Sequence, residues 1–154
     1  MKFSAPFYEF QEELYALLTK ADEMDFQVFD SAMTVNEISE QLKNLSEVKF
    51  GVIADVSAAP TSSKVDAIIW AMSVRIELFS NYRGRKKIAE MINKIGSVAT
   101  EYLEAFDSNM MPKGFSVVRM SIGESTIGSA TGNGSLIWQN GYINLTYYLS
   151  QLEE

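Results

Sequence analysis

Neither cysteine nor histidine occurs among the 154 residues of the chain. Thiolate nucleophiles, disulfides, Cys/His zinc sites, Ser-His-Asp triads and imidazole acid–base chemistry are therefore excluded. Acid–base work would fall to carboxylates, and pairs at helical spacing are present: Glu9/Glu13, Glu37/Glu40 and Glu101/Glu104. Two carboxylates flanking a bond can hydrolyse a glycoside. These pairs, however, lie on the polar faces of amphipathic segments, where solvated acids belong, and no enzymatic activity is expected. The run through Gly128, Gly132 and Gly134 has the glycines of a phosphate loop but neither its lysine nor a following helix. No cofactor or metal is expected. The run reads instead as a hairpin tip, with Asn133-Gly134 a favourable turn dipeptide, or as an interaction arm that orders on a partner. Arg83, Arg85, Lys86 and Lys87 form a dense basic cluster at the start of a predicted helix, where the helix dipole disfavours positive charge. It is a solvated helix face, a salt-bridge surface for an acidic neighbouring subunit or, third, a DNA contact.

The elements that must position these groups follow from hydrophobic periodicity. Phe7, Phe10, Leu14 and Leu17/Leu18 predict a helix with Ser4 as N-cap, Pro6 in the first turn and glutamates near its positive end. Residues 26–29 predict a short strand. Thr34 and Glu37 form a capping box ahead of a second helix carrying Val35, Ile38, Leu42 and Leu45. A strand is expected over 49–56, ended by a Pro- and Ser-rich connection at 58–63. Residues 68–79 then alternate, with Ile68, Trp70, Met72, Val74, Ile76 and Leu78 on one face, over a length beyond the usual strand of about 5–6 residues. Such a strand is expected to run past the packed layer or across a subunit boundary.

Asn81-Tyr82-Arg83-Gly84 breaks that strand, and the three-to-four spacing of Ile88, Met91, Ile92, Ile95, Val98, Tyr102 and Phe106 predicts the principal helix, kinked at Gly96. Val118, Met120 and Ile122 mark a strand leading into a Gly/Ser/Thr-rich connection over 123–135. The last strand carries Ile143, Leu145, Tyr147 and Leu149, and Asn140-Gly141 is placed to turn it back on Leu136, Ile137 and Trp138. Trp70, Tyr102, Trp138, Tyr147 and Tyr148 read as core and sheet aromatics. Without repeats or a long linker, residues 1–154 are expected to form a single α+β domain. Its sheet is expected to be mainly antiparallel, with four or five strands and helices packed on one face, leaving the other to solvent or to a neighbouring copy.

With 47% hydrophobic and 21% charged residues the chain suits an ordinary globular core. The net charge of −7 is the wrong sign for gripping phosphates over a broad surface. No run of 18 apolar residues is present, so no membrane span and no signal-peptide core is expected, and the chain reads as soluble and intracellular.

The order of elements resembles that of the tail terminator or tail completion proteins of long-tailed bacteriophages over nearly the whole chain. The stretch that carries most of the likeness is Val74-Arg75-Ile76-Glu77-Leu78-Phe79-Ser80-Asn81-Tyr82-Arg83-Gly84-Arg85-Lys86-Lys87-Ile88-Ala89-Glu90-Met91-Ile92. It is similar to the family's alternating strand, polar break with Arg, and Ala/Ile-rich helix. Phe79 stands where the family often has Trp, and the capped helix 34–45 is an insertion against that pattern. The resemblance implies a non-enzymatic virion protein, assembled in the host cytoplasm. It would form a ring, hexameric in most members, that caps the tail tube and joins it to the head connector. Implied partners are sister copies, the tail tube protein and a head-completion or connector protein, with DNA passing through the lumen without sequence-specific binding. A negatively charged ring would avoid gripping that DNA. The expected subunit or partner interface comprises Arg75, Glu77, Arg83, Arg85, Lys86, Lys87, Glu124, Ile127 and Asn133. The alternative is a neck-ring or adaptor module that docks through the loop 123–135.

Overall fold

The computed structural model describes residues 5–20, 24–29, 48–64, 67–82, 84–105, 115–128, 131–133 and 136–151. In chain order these form α1 (Phe7–Lys20), β1 (Gln27–Phe29), β2 (Lys49–Lys64), β3 (Ala67–Ser80), α2 (Lys86–Ala105), β4 (Phe115–Ile127), β5 (Thr131–Asn133) and β6 (Leu136–Gln151). Five strands hydrogen-bond in the order β1-β2-β3-β6-β4, and the short β5 pairs with the beginning of β6. All pairings are antiparallel except that of β1 with β2, so the α+β fold has a mixed, mostly antiparallel sheet. The predicted helix 34–45 lies outside the described residues.

Alternation in β3 and β6 builds the core. Trp70, Met72, Val74 and Ile76 stand opposite Leu149, Tyr147, Leu145 and Ile143, and all eight are buried. Against this face α1 packs Phe10, Leu14 and Leu18, and α2 packs Ile88, Met91, Ile95, Val98 and Ala99. Phe10 meets Tyr147 ring to ring at 5.4 Å, and the Tyr147 hydroxyl donates to the Ala99 carbonyl at 3.4 Å. Both helices therefore cover the same face, as the amphipathic spacing predicts.

Several expectations are corrected. β2 does not end at residue 56: it continues through 58–63 to Lys64, paired with β3 despite Pro60. Proline is tolerated there because no described strand needs its missing N–H on the outer side. Asn140-Gly141 is not a turn, since β6 is continuous through both residues. Gly141 is required for close approach instead: a Cβ would stand 2.6 Å from Ile88 Cγ2 and 2.6 Å from the Thr126 carbonyl. The connection expected over 123–135 is largely strand, because β4 runs on to Ile127 and β5 follows. The long β3 does not overrun the packed layer. β2 pairs with it from Ala67 to Ser80, and β6 pairs with it on the other side from Ile69 to Ser80. α2 passes through Gly96 as one helix, and Gly84, with φ of 126°, makes the turn that precedes it.

Candidate interface

The face of the sheet turned away from the helices is built by the residues between the core positions. β3 contributes Ser73, Arg75 and Glu77, β6 contributes Tyr142, Asn144, Thr146 and Tyr148, and β4 contributes Arg119, Ser121 and Thr126. Register sets Arg75 opposite Asn144, Glu77 opposite Tyr142, and Arg119 opposite Tyr148. The Arg75 guanidinium lies 4.3 Å from the Tyr142 ring centroid, and its Nε donates to Asn144 Oδ1 at 3.3 Å. Arg119 stacks on Tyr148 at 4.2 Å, and the Ser73 and Thr146 hydroxyls are bonded at 3.1 Å.

Glu124 sits where the β4 register shifts between Ile122 and Ser125. It accepts hydrogen bonds from the Tyr142 hydroxyl at 2.8 Å and from Thr126 Oγ1 at 3.0 Å, while Asn144 Nδ2 donates to its carbonyl at 3.2 Å. The bond from Tyr142, then that from Thr126, holds its carboxyl below the usual carboxylate range. Arg75, Tyr142 and Glu124 thus form one polar chain across three adjacent strands. Toward β1 the same face turns apolar: Phe50 stacks on Phe79 at 5.2 Å and meets Phe29 edge-on at 6.1 Å, beside Val48 and Val52.

The expected interface residues are thereby distributed. Arg75, Glu77 and Glu124 meet on the open face around Tyr142. Arg85, Lys86 and Lys87 lie at the start of α2, the first two exposed, with Lys87 4.0 Å from Glu90 and 5.8 Å from the Tyr82 ring. Ile127 packs partly buried against the core, and Asn133 stands opposite Leu136 in the β5–β6 pair. Arg83 lies outside the described residues. Sequence reasoning missed Arg119, Tyr142, Asn144 and Tyr148, whose common face is given by period two but whose cation partners appear only once strand register is known.

Among the described residues no group of three or more acidic side chains is placed to hold a metal ion. Glu9 and Glu13 are half-exposed on α1. No described helix is long and apolar enough to cross a membrane.

Two edges of the sheet are free among the described residues. β4 pairs only with β6, and its residues 118–119 and 121–125 are exposed. β1 covers β2 only at Phe50, Gly51 and Val52, leaving 53–64 open. Beside β4, a recess of about 590 Å³ opens between strand and helix, lined by Ile92, Gly96, Ser97, Thr100, Ile122 and Ile143 among others.

No protein-family profile and no curated protein matches the chain. Among solved structures, it is similar to a chain of the "Virion of native gene transfer agent (GTA) particle", at 11% identity over 95% of this chain and 92% of that one, with a TM-score of 0.45.

Proposed function

We propose that the chain is a non-enzymatic structural virion protein of the tail terminator type, a ring, hexameric by resemblance, that caps a phage tail tube and joins it to the head connector. The observation that carries an assembly role is the long exposed edge of β4, thirteen residues with no described partner on its outer side. An open edge of that length is an invitation to strand pairing that a monomer has reason to blunt. β4 contains neither proline nor lysine, and what interrupts its edge is Arg119, Glu124 and two register shifts. The stretch 74–92, on which the family resemblance rests, corresponds to the end of β3, the break and the first turns of α2. Partners would be sister copies, the tail tube protein and a head-completion or connector protein, and the location the head–tail junction of the virion. The overall negative charge suits a lumen through which DNA slides.

Docking through 123–135 is the weaker reading, because 125–127 and 131–133 are already paired with β6 in the sheet. The test is native mass across a concentration series, alone and with a tail tube protein, followed by negative-stain imaging. Closed rings of one size are expected. A protein that stays monomeric in both conditions, or open filaments in place of rings, would sink the terminator reading.

A further inference from the structure

The two free edges lie on opposite sides of one sheet and run in opposite directions. β2 and β6 point one way and β3 and β4 the other, so a second copy in the same orientation can set its β2 beside β4 and continue the antiparallel alternation. The open parts also lie at one level: Val56 pairs with Val74, Val74 with Leu145, and Leu145 with Ile122.

The helix layer carries matching features above those edges. Over the β1–β2 side, α1 exposes Tyr8 (74%) and Tyr15 (41%), one helical stripe that also contains Glu12. Tyr15 lines a recess together with Phe26 and Val28, which fixes that stripe beside β1. Over β4, the recess beside α2 presents apolar surface in Ile122 (48% exposed), Ile92 and Gly96.

Charge is complementary as well. The β2 side exposes Glu12 and Asp55, and Lys49 is already held by Asp25 at 2.8 Å. The β4 side exposes Arg119, and Lys86 lies on the α2 stripe of Glu90, Asn93, Ser97 and Thr100, where Glu90 faces Lys87 at 4.0 Å. Glu124, the single carboxylate of β4, is bonded to Tyr142 and Thr126.

We propose that copies of this chain meet head to tail, the outer edge of β4 pairing antiparallel with residues 53–64 of β2 in the next copy, while that copy's Tyr8 and Tyr15 close the recess between α2 and β4. This rests on the ring reading and specifies its contact. Such an interface is heterologous, joining two different patches, and it forms a ring when its rotation closes.

Two variants test it by sedimentation velocity. Val118→Lys with Ile122→Lys blocks the β4 side, and Asp55→Lys with Tyr15→Ser blocks the β2 side. All four positions are solvent-exposed, and circular dichroism checks the fold. Should the lysines unsettle β4, Ser97→Trp plugs the recess from an exposed helix position. Each variant alone is expected to self-associate at least about tenfold more weakly than wild type. An equimolar mixture of the two should give a heterodimer that grows no further, because it retains one intact pair of edges. A wild-type ring that both variants still form overturns this contact and leaves the ring reading standing, as does a mixture of monomeric variants that stays monomeric. A wild type that never associates, with or without the tail tube protein, overturns both.

Discussion

The two faces of the sheet are made by neighbouring residues of the same strands, yet they are held by different forces. On the helix side Trp70, Met72, Val74, Ile76, Leu145, Tyr147 and Leu149 are buried in one continuous apolar cluster. On the other side Arg75, Tyr142, Asn144, Glu124, Arg119 and Tyr148 satisfy one another through cation–π contacts and hydrogen bonds while remaining in reach of solvent. Burial on the first face is worth about 1.5–3 kcal/mol per large side chain, whereas exposed polar pairs contribute about 0–1 kcal/mol each. The helix side, with the smaller buried cluster of Val48, Phe50 and Val52 near β1 on the other face, therefore sets the stability of the fold. The open side is free to carry composition for another purpose, and its ordered polar chain is a pre-organised surface whose side chains need little rearrangement to meet a partner.

The sharpest break of that contrast is in the buried layer. Trp70→Ala empties the space of a core side chain only 1% exposed and is expected to cost about 3–5 kcal/mol. For a chain of this size that is a fall in thermal midpoint on the order of 10 °C, read by calorimetry. Gly141→Ala acts in the opposite sense, by overpacking. The added methyl meets Ile88 Cγ2 and the Thr126 carbonyl, so either α2 or β4 must retreat from β6. A loss of about 1–3 kcal/mol is expected, and Gly141→Ala behaving like wild type in urea unfolding would show that α2 is looser over β6 than its packing implies.

The two layers were not equally legible in the sequence. The helix side was read almost entirely from period: Phe10, Leu14 and Leu18 on α1, Ile88, Met91 and Ile95 on α2, and the alternation of β3 all fall where the spacing predicts, because burial imposes that spacing. Local turn chemistry misled where tertiary contact decides. Pro60 and the serines around it read as a connection, yet they continue β2 along an edge with no donor to lose. Gly141 read as a turn residue, yet it is small because a helix crosses there. The glycines of 123–135 read as flexible, yet much of that stretch is paired with β6. The candidate interface was legible only in part. Arg75, Glu77 and Glu124 were singled out from their sequence context, but the tyrosines beneath the arginines depend on register between strands far apart in the chain, which no local pattern encodes. The free edges of β2 and β4 depend in turn on strand order.

On the open face the expected effects are smaller. Arg75→Ala removes the stacking on Tyr142 and the bond to Asn144, both half-exposed, and should lower stability by less than about 1 kcal/mol. A loss comparable to that of Trp70→Ala would mean that this face is as much a core as the other.

The smallest effect is electrostatic, and its sign follows from two carboxyls. Asp25 is held below the usual carboxylate range chiefly by its hydrogen bond from Lys49, and Glu124 by those from Tyr142 and Thr126. A carboxyl whose pKa is depressed by folding stabilises the native state above its unfolded value, and the contribution disappears as pH falls through the folded value. The Asp25–Lys49 pair, with side chains 56% and 18% exposed, supports no more than about 0.5 kcal/mol at neutral pH. Lys49→Met should therefore be slightly less stable than wild type at pH 7, and the gap should narrow as pH falls below the ordinary aspartate value of about 3.9, closing once Asp25 is protonated in both proteins. A gap that does not narrow at all across the acid range would assign the loss to the packing of the lysine stem along the edge of β2, with its charge contributing nothing.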